Sequence, residues 1–216
     1  MSTIYNREYF DWQRTVGEFG GKANQFKFVS HIKAVDIILD FGCGGGFLLK
    51  NLDCRRRIGV EINPAAALIA AENGIECHAS LDKVPDESVD LVISNHALEH
   101  VGNPLEMLQE LRKKLVPNGK IVIVVPCEAT TLPFNPEDIN QHIYTWNPQL
   151  LGNLAQQAGF KVIEVSALYH KWPANFVKLQ RWFGWSFFHL ISRIKGQTKR
   201  NDFQVKLVAL NPVAHG

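Results

Sequence analysis

Short apolar runs recur along the chain, each closed by glycine, proline or polar residues, with helically spaced stretches between them. The first run, residues 35–41 (VDIILDF), ends in a glycine cluster. A continuous apolar run of this length predicts a strand buried on both faces. The same reading predicts further strands at 57–61, 75–78, 89–94, 120–125, 160–166 and 203–210. Helices are predicted at 47–52, 64–73, 97–115 and 147–158, with a further helical stretch within 1–34. Pro64 suits a first helical turn, Gly159 suits a helix terminus, and Pro117-Asn118-Gly119 reads as the turn into the fifth strand. Strands alternating with helices in this rhythm predict an α/β domain, 1–216, with a parallel sheet and helices on both faces. Two segments fall outside the rhythm, 126–146 and 171–201.

Composition adds little until charge is placed along the chain. The 216 residues are 46% hydrophobic and 20% charged, with a net charge of +2. That balance carries no nucleic-acid signature, so nucleic acid is not an expected partner. Yet residues 171–201 hold seven basic residues and no acid, interleaved with Trp172, Phe176, Trp182, Phe183, Trp185, Phe187 and Phe188. Three readings of this insertion stay open. It could pack on the domain or on a second subunit of a homodimer. It could lie on an anionic membrane surface. It could form a platform for a phosphorylated or nucleic-acid substrate. The four cysteines form no C-x-x-C pair and suggest reduced thiols. The first residues lack the apolar core of a signal peptide. No apolar run approaches the roughly 18 residues a membrane span needs. Together these predict a cytoplasmic protein. Within 1–34, Tyr5, Tyr9, Phe10 and Trp12 suit a helical lid over a ligand or a helix on the sheet edge.

The candidate chemistry begins at Asp40-Phe41-Gly42-Cys43-Gly44-Gly45-Gly46, between the first strand and the next helix. Glycines there let the backbone turn tightly and approach a ligand. The Gly-Lys-Ser/Thr of a phosphate loop is absent, and the spacing is not G-x-G-x-x-G. Asp40 would repel a pyrophosphate and suits a cationic ligand group instead. Glu61, at the end of the second strand, can accept hydrogen bonds from two ribose hydroxyls, and Ile62 can pack on a base.

Over nearly its whole length the chain resembles class I S-adenosylmethionine-dependent methyltransferases. The resemblance rests on ILDFGCGGG at 38–46, GVEI at 59–62, VDLVISNHALEHV at 89–101, LRKKLVPNGKIVIVVP at 111–126 and HIYTWNPQLLGNLAQQAGFKVIEV at 142–165. It implies a Rossmann-like seven-stranded sheet of order 3-2-1-4-5-7-6 with the last strand antiparallel. It also implies that Asp40, Gly42, Cys43 and Gly44 hold the methionine end of the cofactor and Glu61 its ribose. Ile62, Ser80 and Leu81 would then flank the adenine, and Ser94 and Asn95 would close over the sulfonium. Many relatives carry an Asp near position 80, where this chain has Ser80.

After the fourth strand comes His96-Ala97-Leu98-Glu99-His100. If a helix starts at His96, positions i, i+3 and i+4 share one face. The H-x-x-E-H spacing also matches a reversed zinc-protease pattern, against which the fold argues. A narrower resemblance is to metal-dependent 2′-O-methyltransferases of small-RNA 3′ ends and to quinone-pathway O-methyltransferases, which carry E-x-x-E-H. It implies a divalent metal held by His96, Glu99, His100 and His142. An ion there would bind an acceptor hydroxyl and lower its pKa, and three imidazoles would favour zinc over magnesium. Without a metal, His96 or His142 is the candidate general base. The expected function is methyl transfer from S-adenosylmethionine to an oxygen of a small molecule such as a sugar, lipid-linked or polyketide-like acceptor. The alternatives are a non-catalytic S-adenosylmethionine-binding protein, 2′-O-methylation of an RNA end, and an NAD-dependent enzyme.

Overall fold

The structure is a computed structural model and describes residues 17–198 and 201–213. Seven strands form one sheet: β1 (Ile37–Phe41), β2 (Arg56–Val60), β3 (Glu76–His78), β4 (Val89–Asn95), β5 (Leu115–Cys127), β6 (Lys161–Leu168) and β7 (Phe203–Leu210). Their order is β3-β2-β1-β4-β5-β7-β6. The first five pair in parallel, and β7 runs antiparallel to both β5 and β6. This is the Rossmann-like sheet the sequence implied.

The pleat sends alternate residues of the central strands into two separate apolar layers. Leu39, Val92, Ile121 and Ile123 face a layer completed by Leu108, Leu111, Leu151 and Ala155. Ile38, Ile93, Val122 and Val124 face a layer completed by Phe28, Leu49 and Leu52. Burying side chains of this size stabilises the fold by about 1.5–3 kcal/mol each. The sheet is therefore anchored through its middle, and the loops at its carboxyl edge are left to carry the site.

Around the sheet lie α1 (residues 17–24), α2 (Pro64–Glu72), α3 (Pro104–Lys114), α4 (Pro148–Gln157) and α5 (Phe176–Thr198). Helices α2, α3 and α4 start alike: an Asn side chain caps the first turn and proline follows it. Tyr5, Tyr9, Phe10 and Trp12 lie outside the described residues.

Two predicted helices differ. Residues 47–52 form turns and a short 3-10 turn, Leu49–Asn51. The Asn51 side chain donates to the Phe47 carbonyl, taking an acceptor that a continuing helix would use. The predicted helix 97–115 is broken. A 3-10 turn spans Leu98–His100, and α3 starts only at Pro104 behind the Asn103 cap. His96 is not a helix start: its φ of +58° ends β4 in the left-handed region. The Pro117-Asn118-Gly119 turn loops out within β5, whose pairing jumps from Val89↔Leu115 to Leu91↔Lys120. The segment 171–201, which falls outside the strand-helix rhythm, is mostly α5, bent at Gly184 where φ is +77°.

Candidate active site

The carboxyl ends of β1, β2, β3 and β4 open into one cavity of about 750 Å³. Asp40, Gly42, Cys43, Gly44, Glu61, Ile62, Ser80, Leu81, Asn95 and His96 line it, as the sequence reading grouped them. Ser94 is the exception. It is buried beneath the cavity, and its hydroxyl donates to the Phe41 carbonyl at 2.9 Å, tying β4 to β1. Strand alternation turns Ser94 inward and Asn95 toward the opening.

At one end of the cavity the chain makes an acidic cradle. Asp40 is buried at the end of β1, and burial together with Glu61 and Cys77 pushes its carboxyl well above the usual range. Glu61 accepts from the Gly44 N–H and the Asn63 N–H, each at 2.8 Å. Burial raises its pKa while those backbone donors oppose the rise. A carboxylate has about four acceptor sites, so both oxygens keep capacity for ligand hydroxyls. Gly42 and Gly44 both have positive φ, +74° and +53°. A Cβ on Gly42 would stand 2.4 Å from Ala97 Cβ, whereas one on Gly44 would meet nothing within 4 Å. Gly42 is thus required by packing, and Gly44 keeps the cavity open.

Two thiols sit beneath this cradle. Cys43 Sγ and Cys77 Sγ are 3.9 Å apart, and both are free. Their mutual hydrogen bond raises the Cys43 pKa and lowers that of Cys77. At the next wall, Ser80 caps a short turn by accepting from the Asp82 N–H, and its hydroxyl donates to the Asp82 carboxylate at 3.0 Å. Asp82 also lines the cavity. Asp82 thus sets a carboxylate on this wall two residues beyond Ser80.

At the other end His96 and His100 border the cavity, and His142 stands behind them. The loop that follows β5 is pinned on Glu99: the Ile143 and Tyr144 N–H groups donate to the Glu99 carbonyl at 3.0 and 3.3 Å. That brings the His142 ring to 4.9 Å from the His100 ring, centroid to centroid. Glu128 Oε1 lies 2.9 Å from His142 Nδ1 and aligns the ring. Ligand atoms of Glu99, His100 and His142 lie within 4.8 Å of one another. His96 does not join that group. Its Nδ1 is 3.2 Å from Glu99 Oε1 and its Nε2 is 3.3 Å from Gln204 Oε1. The bend at His96, in place of a helix start, turns its ring toward β7. The Glu99 side chain is 0% exposed, and neither carboxylate oxygen makes a hydrogen bond of good geometry.

Sequence reading also missed Lys27 and Gln204. The buried Lys27 ammonium donates to Asn95 Oδ1 at 2.8 Å and to Gln204 Oε1 at 2.6 Å. Burial lowers its pKa to about 7, with Glu99 opposing. The Gln204 Nε2 group donates to the His170 carbonyl, so its oxygen must face Lys27 and His96. The partners come from positions 68 and 177 residues away. No local pattern marks such a residue.

Residues 6–165 match the family described as methyltransferase domain. An S-adenosylmethionine-dependent methyltransferase of Mycolicibacterium smegmatis is 27% identical over 154 residues, covering 67% of this chain and 60% of that protein. The mitochondrial ubiquinone biosynthesis O-methyltransferase of Schizosaccharomyces pombe is 32% identical over 102 residues, covering 40% of this chain and 36% of that protein. The chain thus spans less than two thirds of the length of these curated relatives. A solved S-adenosylmethionine-dependent methyltransferase from Archaeoglobus fulgidus superposes with a TM-score of 0.65 at 20% identity, covering 94% of this chain and 99% of that one. The sheet order, the acidic glycine loop at its carboxyl edge and the match over 6–165 agree: the chain belongs to the methyltransferase-domain family, the class I S-adenosylmethionine-dependent methyltransferases.

Proposed function

We propose that the protein transfers the methyl group of S-adenosylmethionine to an oxygen of a small molecule. One observation carries this reading: the acidic glycine cradle and the His96–His100 turn open into the same cavity. Asp40 and the Gly42–Gly44 backbone hold the amino-acid end of the cofactor, Glu61 its ribose hydroxyls, and Ile62, Leu81 and Asp82 its base. A buried carboxyl such as Asp40, pushed up by its surroundings, is relieved by a cationic ligand group. The cofactor supplies an electrophilic methyl on sulfur. The chain's own residues place the acceptor in line with it, which is where much of the acceleration of such a displacement arises. His96 and His100 stand on the cavity wall where the acceptor would sit, His96 held there by Glu99 and Gln204, and His142, aligned by Glu128, supports them from behind.

The reading is tested by thermal shift and by transfer of labelled methyl. S-Adenosylhomocysteine should raise the melting temperature and NAD should not. Labelled methyl should appear on hydroxylated acceptors from a compound pool. Stabilisation by NAD alone would point to a different enzyme, and stabilisation by S-adenosylhomocysteine without transfer to any acceptor would point to a binding protein.

A second reading has its own support in the Glu99 carboxylate, buried without good hydrogen bonds beside the imidazoles of His96, His100 and His142. Glu99, His100 and His142 would hold a divalent ion there, with Glu128 orienting His142 through Nδ1 so that Nε2 faces the ion. Such an ion would bind the acceptor hydroxyl and lower its pKa. Elemental analysis of the purified protein, with activity measured before and after exhaustive chelation, separates the two. Full activity with no metal detected removes the ion.

A further inference from the structure

Helix α5 turns Trp182, Phe183, Leu190 and Ile194 outward. Its inner face is occupied: Phe188 is buried against Phe19, Trp172 and Trp185, and the Ser192 carbonyl accepts from the Lys171 N–H. That fixes which side chains face solvent. Trp182 is 79% exposed, Phe183 61%, and Leu190 and Ile194 are more than half exposed. The bend at Gly184 joins the two parts of the helix and brings the Phe183 and Phe187 rings to 5.0 Å. The result is one apolar ridge running over both parts, a feature soluble domains do not leave bare without use.

The charges within α5 are all of one sign. Lys178, Arg181 and Arg193 are exposed on the same helix, and no acid occurs between residues 171 and 201. Two other cations nearby are engaged, Lys171 with Asp202 and Lys195 with the Trp172 carbonyl. A second copy of the chain is a poor occupant. A two-fold interface sets a patch against itself, so three exposed cations would meet three exposed cations. A surface of negative charge over an apolar interior complements both the ridge and its cations. Among the described residues no helix is long and apolar enough to cross a membrane.

We propose that α5 docks the protein on an anionic lipid bilayer. The helix lies in the interface, with Trp182, Phe183, Phe187, Leu190 and Ile194 at the acyl boundary and Lys178, Arg181 and Arg193 among the headgroup phosphates. The docking element is joined to the cofactor cavity through aromatic contacts. Trp172 lines the cavity and packs on Phe176 at the start of α5, with ring centroids 4.9 Å apart.

The test is co-sedimentation of the full chain with vesicles of phosphatidylcholine alone or mixed with phosphatidylglycerol, at low and high salt. Binding to the mixed vesicles is expected at low salt, weakening as salt screens the headgroups. Tryptophan fluorescence should shift to the blue and be quenched by brominated acyl chains. Replacing Arg181 and Arg193 by Gln should weaken partition by about fivefold per charge removed. The W182S/F183S pair should abolish binding while leaving the far-ultraviolet circular dichroism and S-adenosylhomocysteine binding intact. No binding to the mixed vesicles at low salt overturns the proposal, as does equal binding by W182S/F183S. A dimer in light scattering that W182S/F183S converts to monomer would assign the ridge to a second copy instead. None of these readouts depends on methyl transfer, so docking and the catalytic reading stand or fall separately.

Discussion

The Glu61 carboxylate accepts a hydrogen bond from the Gly44 N–H at 2.8 Å, tying the end of the second strand to the glycine loop 17 positions earlier. The same carboxylate holds the Asn63 N–H through its other oxygen. One side chain thus shapes the loop and faces the cavity. Replacing Glu61 by Ala should weaken S-adenosylhomocysteine binding by roughly 10- to 150-fold, the equivalent of about 1.5–3 kcal/mol for charged hydrogen bonds. Isothermal calorimetry checks this. Affinity within threefold of wild type would remove Glu61 from the cofactor site.

Gly42 and Gly44 should separate stability from binding. Gly42→Ala sets a Cβ 2.4 Å from Ala97 Cβ at a φ of +74°. Left-handed strain of about 1–2 kcal/mol adds to overpacking of about 1–3 kcal/mol, so the melting temperature should fall by several degrees. Gly44→Ala adds a Cβ in open space and should cost only the strain, yet its methyl projects where the ligand must approach. The expected pattern is a larger melting shift for Gly42→Ala and a proportionally larger affinity loss for Gly44→Ala.

Asp40→Asn should stabilise the free protein and disable ligand binding. The Asp40 pKa is raised in the folded chain by burial and by Glu61. Between the unfolded value and the raised folded value, the folded state holds a proton that the unfolded state has lost. Stability from this group therefore falls as pH rises through that window. The advantage of Asn should appear above the ordinary carboxylate value of 3.8 and be complete above the folded value. Urea melts at several pH values measure it. A variant less stable than wild type at neutral pH contradicts the assignment.

Lys27 supplies the opposite sign. Its folded pKa is lowered from 10.5 to about 7, so above pH 7 the unfolded chain holds a proton that the folded chain has released. Stability from this group rises with pH, at up to about 1.4 kcal/mol per unit, until the unfolded value is reached. Lys27→Met should remove that rise. The wild-type minus variant difference in unfolding free energy should grow between pH 7 and 10, and a flat difference would mean that Lys27 stays charged throughout.

The local patterns carried the architecture. An apolar run such as 121–125 is buried on both faces, so its composition alone names it as a strand, and Pro64 and Gly159 mark where helices begin and end. The acid-glycine loop and Glu61 were legible for the same reason: each sits at a fixed offset from a strand end, and strand ends point into the cavity. Where competition is between neighbours, the pattern misled. Asn51 takes the carbonyl that a helix at 47–52 needed, and the left-handed bend at His96 keeps its ring on Glu99 but carries its Nε2 to Gln204, out of the group formed by Glu99, His100 and His142.

What the sequence determined by itself is the sheet, its order through family resemblance, and the acidic glycine cradle. What only the tertiary structure decided is the company each side chain keeps. Lys27 meets Gln204 across 177 positions, His142 reaches His100 because a loop is pinned to the Glu99 carbonyl, Ser94 is turned away from the cavity, and α5 shows its apolar side to solvent. Periodicity encodes which way a residue faces within its own element. It does not encode which distant element arrives to face it, because that is set by how all the layers pack at once.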